Sequence, residues 1–243
     1  MPEGHTLHRL ARDLNGLFGG EIIRATSPQA RFAEGAALLD GRVLAKADAY
    51  GKHLFVTFDA DRHLHVHLGL YGTFVLDAGE PSVPRGQVRL RIEGERGYAD
   101  LRGATTCEVL TRVERVGVVA RLGPDPLRRG ADASRAYERI SASRTTIAAL
   151  LMRQDVIAGV GNVYRAELLF RHGVDPFLPG RELPSATWYD LWKDLRALMR
   201  HGVRTGRIDT TRTAHTPRAM GRPPRQDRHG GDIYAYRRAG DPC

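Results

Sequence analysis

Residues 154–167 have the sequence QDVIAGVGNVYRAE, in which two glycines precede a segment with helical periodicity. Gly159 and Gly161 predict a tight turn, and a helix is predicted to begin at Asn162. The amides of a helix N-terminus, together with an asparagine side chain, suit a phosphate group. A nucleotide-binding fingerprint would need a strand before this turn, and the sequence there is helical. The turn therefore joins two helices, in the manner of helix-turn-helix proteins that dock on a DNA backbone.

The sequence around this turn predicts a helical C-terminal half. Apolar periodicity predicts helices at 133–140, 145–152, 162–171 and 185–201. Thr187 and Asp190 fit a capping box at the start of the last of these helices. Residues 203–232 are rich in Arg, Gly, Pro and Thr, which favours a mobile connection, and residues 233–236 are predicted to start a strand.

The N-terminal half predicts a leading helix followed by short strands. Leu7, Leu10, Ala11, Leu14, Leu17 and Phe18 fall on one helical face, which Gly19 and Gly20 end. Strands are predicted at 21–25, 42–49, 53–59, 63–70, 73–76, 87–93 and 106–110, a spacing typical of an antiparallel sandwich or barrel. We therefore predict an α+β protein with a β-sandwich domain at 1–122, a linker at 123–135 and a helical domain at 136–232. Residues 233–243 form a short C-terminal segment.

Composition indicates a polyanionic partner. The chain has 243 residues, a net charge of +9 and a pI near 10.0. The segment from Arg196 to Cys243 holds eleven Arg and four Asp, a net +7, which favours nucleic acid over a merely solvated tail. The sequence contains no apolar run of membrane-spanning length and no signal-peptide pattern, so we expect a cytoplasmic monomer without a membrane partner. Cys107 and Cys243 cannot form a disulfide framework, and Cys107 is expected to be an inert packing residue.

The N-terminus offers a nucleophile. If Met1 is removed, Pro2 becomes a terminal secondary amine, and an α-amino group has a pKa of about 7.7–8.0. Such an amine can attack an electrophilic carbon and form an iminium, and Glu3 lies one peptide away as a proton donor or acceptor. The alternative is that Pro2 and Glu3 only favour the start of the first helix.

Two further segments contain candidate functional residues. Gly51 allows a turn that brings Lys52 close to a ligand, although Lys52 is equally well explained as a surface lysine. In the predicted strand HLHVH, the histidines at 63, 65 and 67 share one face, which suits a metal or a polar surface facing DNA. Leu70 and Tyr71, between two glycines, are candidates for a wedge inserted between bases, or for a turn folded over the core.

Taken in order and spacing, the four segments at 2–4, 51–52, 67–69 and 159–162 resemble the formamidopyrimidine-DNA glycosylase / endonuclease VIII family. The resemblance extends over nearly the whole chain, and residues 154–170 look like that family's helix–two-turns–helix motif. The start MPEGHT and the segment 67–72 are most similar to the actinobacterial endonuclease VIII branch.

The resemblance implies a base-excision-repair enzyme that removes oxidised bases from damaged DNA and then cuts the backbone. It implies that Pro2 forms a Schiff base with the sugar C1′, that Glu3 protonates the opening sugar, and that Lys52 holds a phosphate beside the lesion. The DNA-binding residues that it implies are His67, Leu70, Tyr71, Arg102, Asn162 and Arg165. Oxidised pyrimidines are the expected substrates. The alternatives are a glycosylase that favours oxidised purines and a non-catalytic protein that binds damaged DNA.

The chain departs from the family pattern at its C-terminal end. Family members usually end in a zinc finger with four cysteines. The resemblance implies that residues 233–243 are the start of that finger, and residues 238–243 look like its entry, which stops at Cys243. One thiolate cannot make a tetrahedral structural zinc site, so we expect the finger to be truncated and the site incomplete. The reaction itself is expected to need no cofactor, because the iminium formed by Pro2 acts as the electron sink.

Overall fold

The computed structural model describes residues 2–59, 61–223 and 231–240 of the chain. They belong to two compact units, which divide between Arg121 and Leu122. The first unit contains a sheet and three helices, and the second is helical. Both features confirm the predicted α+β class.

The first unit starts with a helix and then builds one antiparallel sheet. Its elements are α1 (Gly4–Phe18), β1 (Ile22–Thr26), α2 (Ala33–Leu39), β2 (Arg42–Tyr50), β3 (His53–Phe58), β4 (Arg62–His67), β5 (Thr73–Asp77), β6 (Val88–Gly94), β7 (Gly97–Arg102), β8 (Thr106–Leu110) and α3 (Arg112–Ala120).

The order of the strands shows that the sheet folds over on itself. Its eight strands run β5-β7-β6-β1-β2-β3-β4-β8. In a flat sheet β7 and β8, six positions apart, would be roughly 29 Å from each other. Only residues 103–105 connect them, and three residues span at most about 14 Å. The two ends of the sheet must therefore approach each other, as the predicted sandwich requires.

The core of this unit lies under α1. Leu7, Leu14 and Phe18 are fully buried, and they pack with apolar residues from β1 to β4. Leu10 and Leu17, which the sequence placed on the same face, are half-buried at its margin. Burial of this stripe, at about 25 cal/mol for each Å² of apolar surface, is what fixes α1 against the sheet.

Three elements of the first unit were missed by the sequence pattern. In β7, Asp100 and Arg102 interrupt the apolar pattern because they belong to an ion-pair network with β6. The valine-rich α3 buries no residue completely, and a capping box between Thr111 and Glu114 starts it. The short helix α2 buries only Ala36 and Leu39.

The second unit is a helical domain around a second core. Its helices are α4 (Ala133–Ser141), α5 (Ile147–Leu150), α6 (Asn162–His172) and α7 (Ser185–Thr205), with short 3₁₀ turns at 180–182 and 213–215. Trp188 is fully buried, and its indole N–H donates to the carbonyl of Ala133 at 2.9 Å. Gly173 and Gly206 end α6 and α7 in the left-handed conformation, as C-cap glycines do.

Several local predictions for this unit differ from the structure. Helix α7 begins at Ser185 after Pro184, so Thr187 lies in the first turn instead of forming the predicted capping box. The segment interpreted as a linker contains four buried residues at 123–126 and the start of α4. The segment at 203–232 includes the end of α7, and Ile208 and Thr210 are buried, so these parts pack against the domain.

The strand predicted to start at Ile233 is wrong, and a buried carboxylate explains why. The backbone N–H groups of Tyr234, Ala235 and Tyr236 all donate to Glu167, at 2.6, 2.7 and 2.8 Å. Successive amides of a strand point in opposite directions, so a segment that turns three of them to one acceptor is a turn.

Cys243 lies outside the described residues. Within them, no helix is long and apolar enough to cross a membrane.

Candidate functional site

The start of α1 places a buried carboxylate beside Pro2. Pro2 is partly exposed, whereas Glu3 has no exposed surface. Glu3 occupies the N-cap of α1, but its carboxylate makes no capping hydrogen bond to the described part of the helix. Its charge instead acts on Lys52, where it opposes the effect of burial on the ammonium. The N-cap of α1 is therefore an acid whose charge acts on a residue outside the helix.

Lys52 lies in the two-residue turn between β2 and β3. Tyr50 and His53 pair across this turn, and Gly51 has a φ of +57°. A positive φ at the first turn position alone is the pattern of a type II′ hairpin, which explains the glycine. Burial lowers the pKa of Lys52, and the carboxylate of Glu3 partly restores it. The amine is thus easier to deprotonate than that of an exposed lysine.

The sheet register brings His67 to the same end of the sheet as Lys52. His67 is paired with His53, the residue after Lys52. The backbone N–H of Gly69 donates to Nδ1 of His67 at 3.2 Å, so a neutral ring carries its proton on Nε2. Burial, Lys52 and His65 lower the pKa of His67, which favours that neutral form. His67 is therefore prepared to donate one hydrogen bond from Nε2 to an acceptor such as a phosphate oxygen.

The turn at residues 69–72 exposes two large side chains. Leu70 is 59% exposed and Tyr71 is 87% exposed, so this turn is not folded over the core. Gly69 has a φ of +67°, and a Cβ there would lie 2.0 Å from Oγ1 of Thr105. The loop at 103–105 thus supports the turn from one side, and it leaves the tips of Leu70 and Tyr71 in solvent.

Arg102 is held at the end of β7 by an ion-pair network. Its Nη2 donates to Asp100 at 2.8 Å, and Asp100 also binds the buried Arg91 at 2.7 and 2.9 Å. Although burial alone would raise the pKa of Asp100, the two guanidinium groups hold it below its usual range. Arg102 stands opposite Thr73 of β5, next to the 69–72 turn. The structure therefore brings Arg102 close to Leu70 and Tyr71, with a fixed carboxylate partner.

In the second unit, α6 begins at a glycine-rich turn. Gly161 is the N-cap, no side chain of the described residues caps the helix, and Asn162 is partly exposed in the first turn. Gln154 fixes the turn from inside: its Nε2 donates to the carbonyls of Met152 and Val160, and its Oε1 accepts from Gly159. From the sequence alone, no separate role was predicted for Gln154. The available signal was a polar side chain five residues before the first glycine of a Gly-x-Gly turn.

Arg165 follows one turn after Asn162 and is partly exposed. It lines an open groove of about 730 Å³ whose walls include Leu169, Phe170 and Phe177. The site residues thus fall into two groups. Pro2, Glu3, Lys52, His67, Leu70, Tyr71 and Arg102 belong to the first unit, and Asn162 and Arg165 belong to the second.

The histidines of β4 do not form the polar outer surface that was predicted. His63 and His65 are buried, and His67 is partly exposed. His63 bonds Thr57 at 3.0 Å, and His65 bonds His53 and Glu108. Among the described residues, no group of three or more histidine, cysteine or acidic side chains is arranged to hold a metal ion. The alternating pattern of the strand predicted that these histidines share one face of the sheet. It did not predict that this face is largely buried.

Comparison with family models identifies both units. The formamidopyrimidine-DNA glycosylase N-terminal domain matches residues 1–107, and the formamidopyrimidine-DNA glycosylase H2TH domain matches residues 122–214. The chain belongs to the formamidopyrimidine-DNA glycosylase and endonuclease VIII family. The resemblance found in the sequence is thereby confirmed. The activity of the family, that of a DNA-repair glycosylase and AP lyase, is confirmed with it.

Individual members of this family match most or all of the chain. Endonuclease 8 1 of Mycobacterium tuberculosis is 51% identical over 248 residues, which cover 100% of this chain and 91% of that protein. Formamidopyrimidine-DNA glycosylase of Acidothermus cellulolyticus is 31% identical and covers 100% of this chain and 88% of its own length. The structure of Lactococcus lactis Fpg in complex with DNA containing an abasic site has a TM-score of 0.72 at 21% identity, covering 84% of this chain and 79% of that one.

Proposed function

We propose that this chain is a bifunctional DNA glycosylase and AP lyase that removes oxidised bases, pyrimidines first, through a Schiff base formed by Pro2. The observation that carries the proposal is the buried carboxylate of Glu3, next to Pro2 and in electrostatic contact with the half-buried Lys52. A nucleophilic amine, an acid and a second amine of lowered pKa are the groups that such a reaction needs.

The chemistry assigns a separate task to each group. The unprotonated amine of Pro2 attacks the sugar C1′, the bond from C1′ to the base breaks, and the base leaves with the proton that the amine gives up. Glu3 gives a proton to the ring oxygen O4′ as the sugar opens, and the amine and C1′ are then joined as an iminium. The iminium withdraws electrons, so loss of a proton from C2′ expels the 3′ phosphate. Lys52 holds a phosphate beside the lesion, and its lowered pKa suits proton transfer near neutral pH.

The remaining residues are proposed to hold the DNA in a flipped-out state. A base must leave the stack before its C1′ can be attacked. The exposed Leu70 and Tyr71 are suited to fill the gap, as apolar wedges do. His67 donates from Nε2 to a phosphate, and the N-terminus of α6 with Asn162 binds another. Arg165 and Arg102 are proposed to add phosphate contacts.

The structural zinc implied by the family does not fit the residues described here. Within the described ranges no suitable ligand cluster exists. Burial raises the pKa of the Cys107 thiol to about 12, and Cys243, the remaining candidate ligand, lies outside the described residues. Our proposal therefore contains no zinc-dependent step, and the iminium of Pro2 serves as the electron sink without a cofactor.

Borohydride trapping tests the proposal. Incubation with DNA containing an abasic site and sodium borohydride should give a covalent complex that survives denaturation. Pro2→Gly and Glu3→Gln should reduce trapping strongly, whereas Pro81→Gly in an exposed loop and Glu34→Gln on α2 should not. Intact mass must first show that Met1 has been removed. A processed wild-type protein that shifts this DNA but is never trapped would instead be the non-catalytic binder.

The choice of pyrimidines rests on the resemblance to the endonuclease VIII branch. The 51% identity to Endonuclease 8 1, against 31% to the Acidothermus glycosylase, supports that choice. Single-turnover cleavage of duplexes that each carry one oxidised pyrimidine or one oxidised purine measures the preference directly. Faster release of purines would replace the first substrate by the alternative and leave the Pro2 chemistry in place.

A further inference from the structure

A chain of hydrogen bonds crosses the sheet behind the proposed site. Nδ1 of His53 lies 2.8 Å from Nε2 of His65, and Nδ1 of His65 lies 2.9 Å from Oε1 of Glu108. The register of β4 and β8 places Glu108 directly opposite His65. His53 lies diagonally across from His65, because β3 and β4 pair His53 with His67 and Phe55 with His65. The chain therefore starts at the residue that follows Lys52 and ends at a carboxylate that is 48% exposed.

The carboxylate fixes the direction of every bond in this chain. An ionised Glu108 can only accept, so Nδ1 of His65 must carry the proton and donate it. A neutral His65 then has a lone pair on Nε2, and this nitrogen accepts from Nδ1–H of His53. His53 is left with a lone pair on its own Nε2. Two histidines that would otherwise have free choice of tautomer are therefore set by one surface acid.

The surroundings keep both rings neutral and in place. Burial lowers the pKa of His53 to about 3, with contributions from His65, His67, Arg121 and Lys52. Burial also lowers the pKa of His65, against the opposing effect of Glu108.

Ring contacts fix the orientation of the chain. The ring of His65 stacks on Phe55 at 4.9 Å, and the guanidinium of Arg115 covers Phe55 at 5.3 Å. The ring of His53 lies between His65 and His67, at 5.1 and 5.0 Å between centroids.

We propose that Glu108 and His65 are positioning residues that hold His53 as a neutral proton acceptor beside Lys52 and His67. His67 has the opposite tautomer: the amide of Gly69 donates to its Nδ1, so its proton is on Nε2 and it acts as a donor. The corner that contains Lys52 thus has one imidazole that accepts and one that donates. This role rests on the proposed function, in which Lys52 exchanges protons and His67 binds a phosphate.

Nitrogen NMR of the histidine rings tests the chain without reference to catalysis. Long-range ¹H–¹⁵N spectra of the full chain at neutral pH should show His53 and His65 as Nδ1–H tautomers and His67 as the Nε2–H tautomer. Glu108→Leu removes the acceptor and should convert His65 to the Nε2–H form, which then donates to His53. Glu108→Gln, whose carbonyl still accepts, should restore the wild-type tautomers. Glu80→Leu, in an exposed loop, is the control for loss of a negative charge.

The functional readout is the single-turnover rate of borohydride trapping on DNA with an abasic site. Glu108→Leu should lower this rate roughly ten-fold, the equivalent of one hydrogen bond to a charged group, and Glu108→Gln should recover most of it. An Nε2–H tautomer at His65 in the wild type would overturn the proposal. So would a wild-type trapping rate in Glu108→Leu with its tautomers reversed. If the wild type is not trapped at all, the proposed function fails, while the tautomers still report on the chain.

Discussion

Replacing Glu167 by glutamine should release the C-terminal turn of the second unit. Glu167 has no exposed surface and accepts four hydrogen bonds. Oε2 accepts from the hydroxyl of Thr210 at 2.5 Å and from the amide of Tyr234 at 2.6 Å, and Oε1 accepts from Ala235 and Tyr236. Glutamine has the same shape, but its Nε2 is a hydrogen-bond donor. In either orientation of the amide, Nε2 would face the donors that the carboxylate now accepts from.

The loss can be worked out from these contacts. The cheaper orientation turns Nε2 toward Thr210, whose hydroxyl can rotate to accept, and leaves the Tyr234 amide buried and facing a donor. An unsatisfied buried group costs about 1–3 kcal/mol, and the two bonds kept by Oε1 each lose about 1 kcal/mol when the acceptor is no longer charged. The sum is about 4 kcal/mol, which for a unit of this size lowers Tm by roughly 10–20 °C.

Tryptophan fluorescence reports on this unit alone. The chain has two tryptophans, and both Trp188 and Trp192 lie on α7. Urea unfolding followed by their emission should show the loss in Glu167→Gln. Glu182→Gln, an exposed acid paired with Arg181, should change stability by less than about 0.5 kcal/mol. A loss below about 1 kcal/mol in Glu167→Gln would show that the carboxylate does not hold the turn.

Three further predictions concern the first unit. His5 and His53 have a pKa lowered by burial to about 4 and about 3, so the unfolded state takes up protons first as pH falls below 6.5. Stability seen by far-UV circular dichroism should be constant above that pH and fall below it by up to about 1.4 kcal/mol per pH unit for each histidine; a flat profile would contradict the burial of both rings. Gly69→Ala should cost about 1–3 kcal/mol in thermal unfolding, because of its positive φ and the approach to Thr105, and an unchanged Tm would count against this turn geometry. Asp100→Asn should cost about 3 kcal/mol in urea unfolding, since it leaves the buried guanidinium of Arg91 with only the more distant carboxylate of Glu93, at 3.7 Å; a loss under about 1 kcal/mol would mean that the network contributes little.

The sequence predicted those elements whose residue pattern is determined locally, within the element itself. Helix α1 carries an uninterrupted apolar stripe, and α6 lies between a glycine-rich turn and Gly173, so both were found within a residue or two. The strand β7 was missed because Asp100 is polar yet buried, and no local pattern announces a partner on another strand. The turn at 234–236 was missed for the same reason, since its acceptor, Glu167, lies more than sixty residues away.

The candidate site shows a similar division. Gly51, Gly69 and Gly161 indicated turns in the sequence. In the structure, Lys52, His67 and Asn162 lie next to or within two residues of these turn glycines. Which of these residues meet depends on strand register, and a register is a property of two segments at once.

The histidines of β4 show what register adds to a local pattern. Alternation correctly placed His65 and His67 on one face, yet it could not show that β3 and β8 supply His53 and Glu108 to that face. A histidine on an exposed strand is free to titrate with the solvent. The same histidine between a carboxylate and a second ring has its tautomer fixed, and burial lowers its pKa. The register of three strands therefore converts a polar repeat into a set of imidazoles with assigned donors and acceptors, which is the condition for any of them to act on a proton at Lys52.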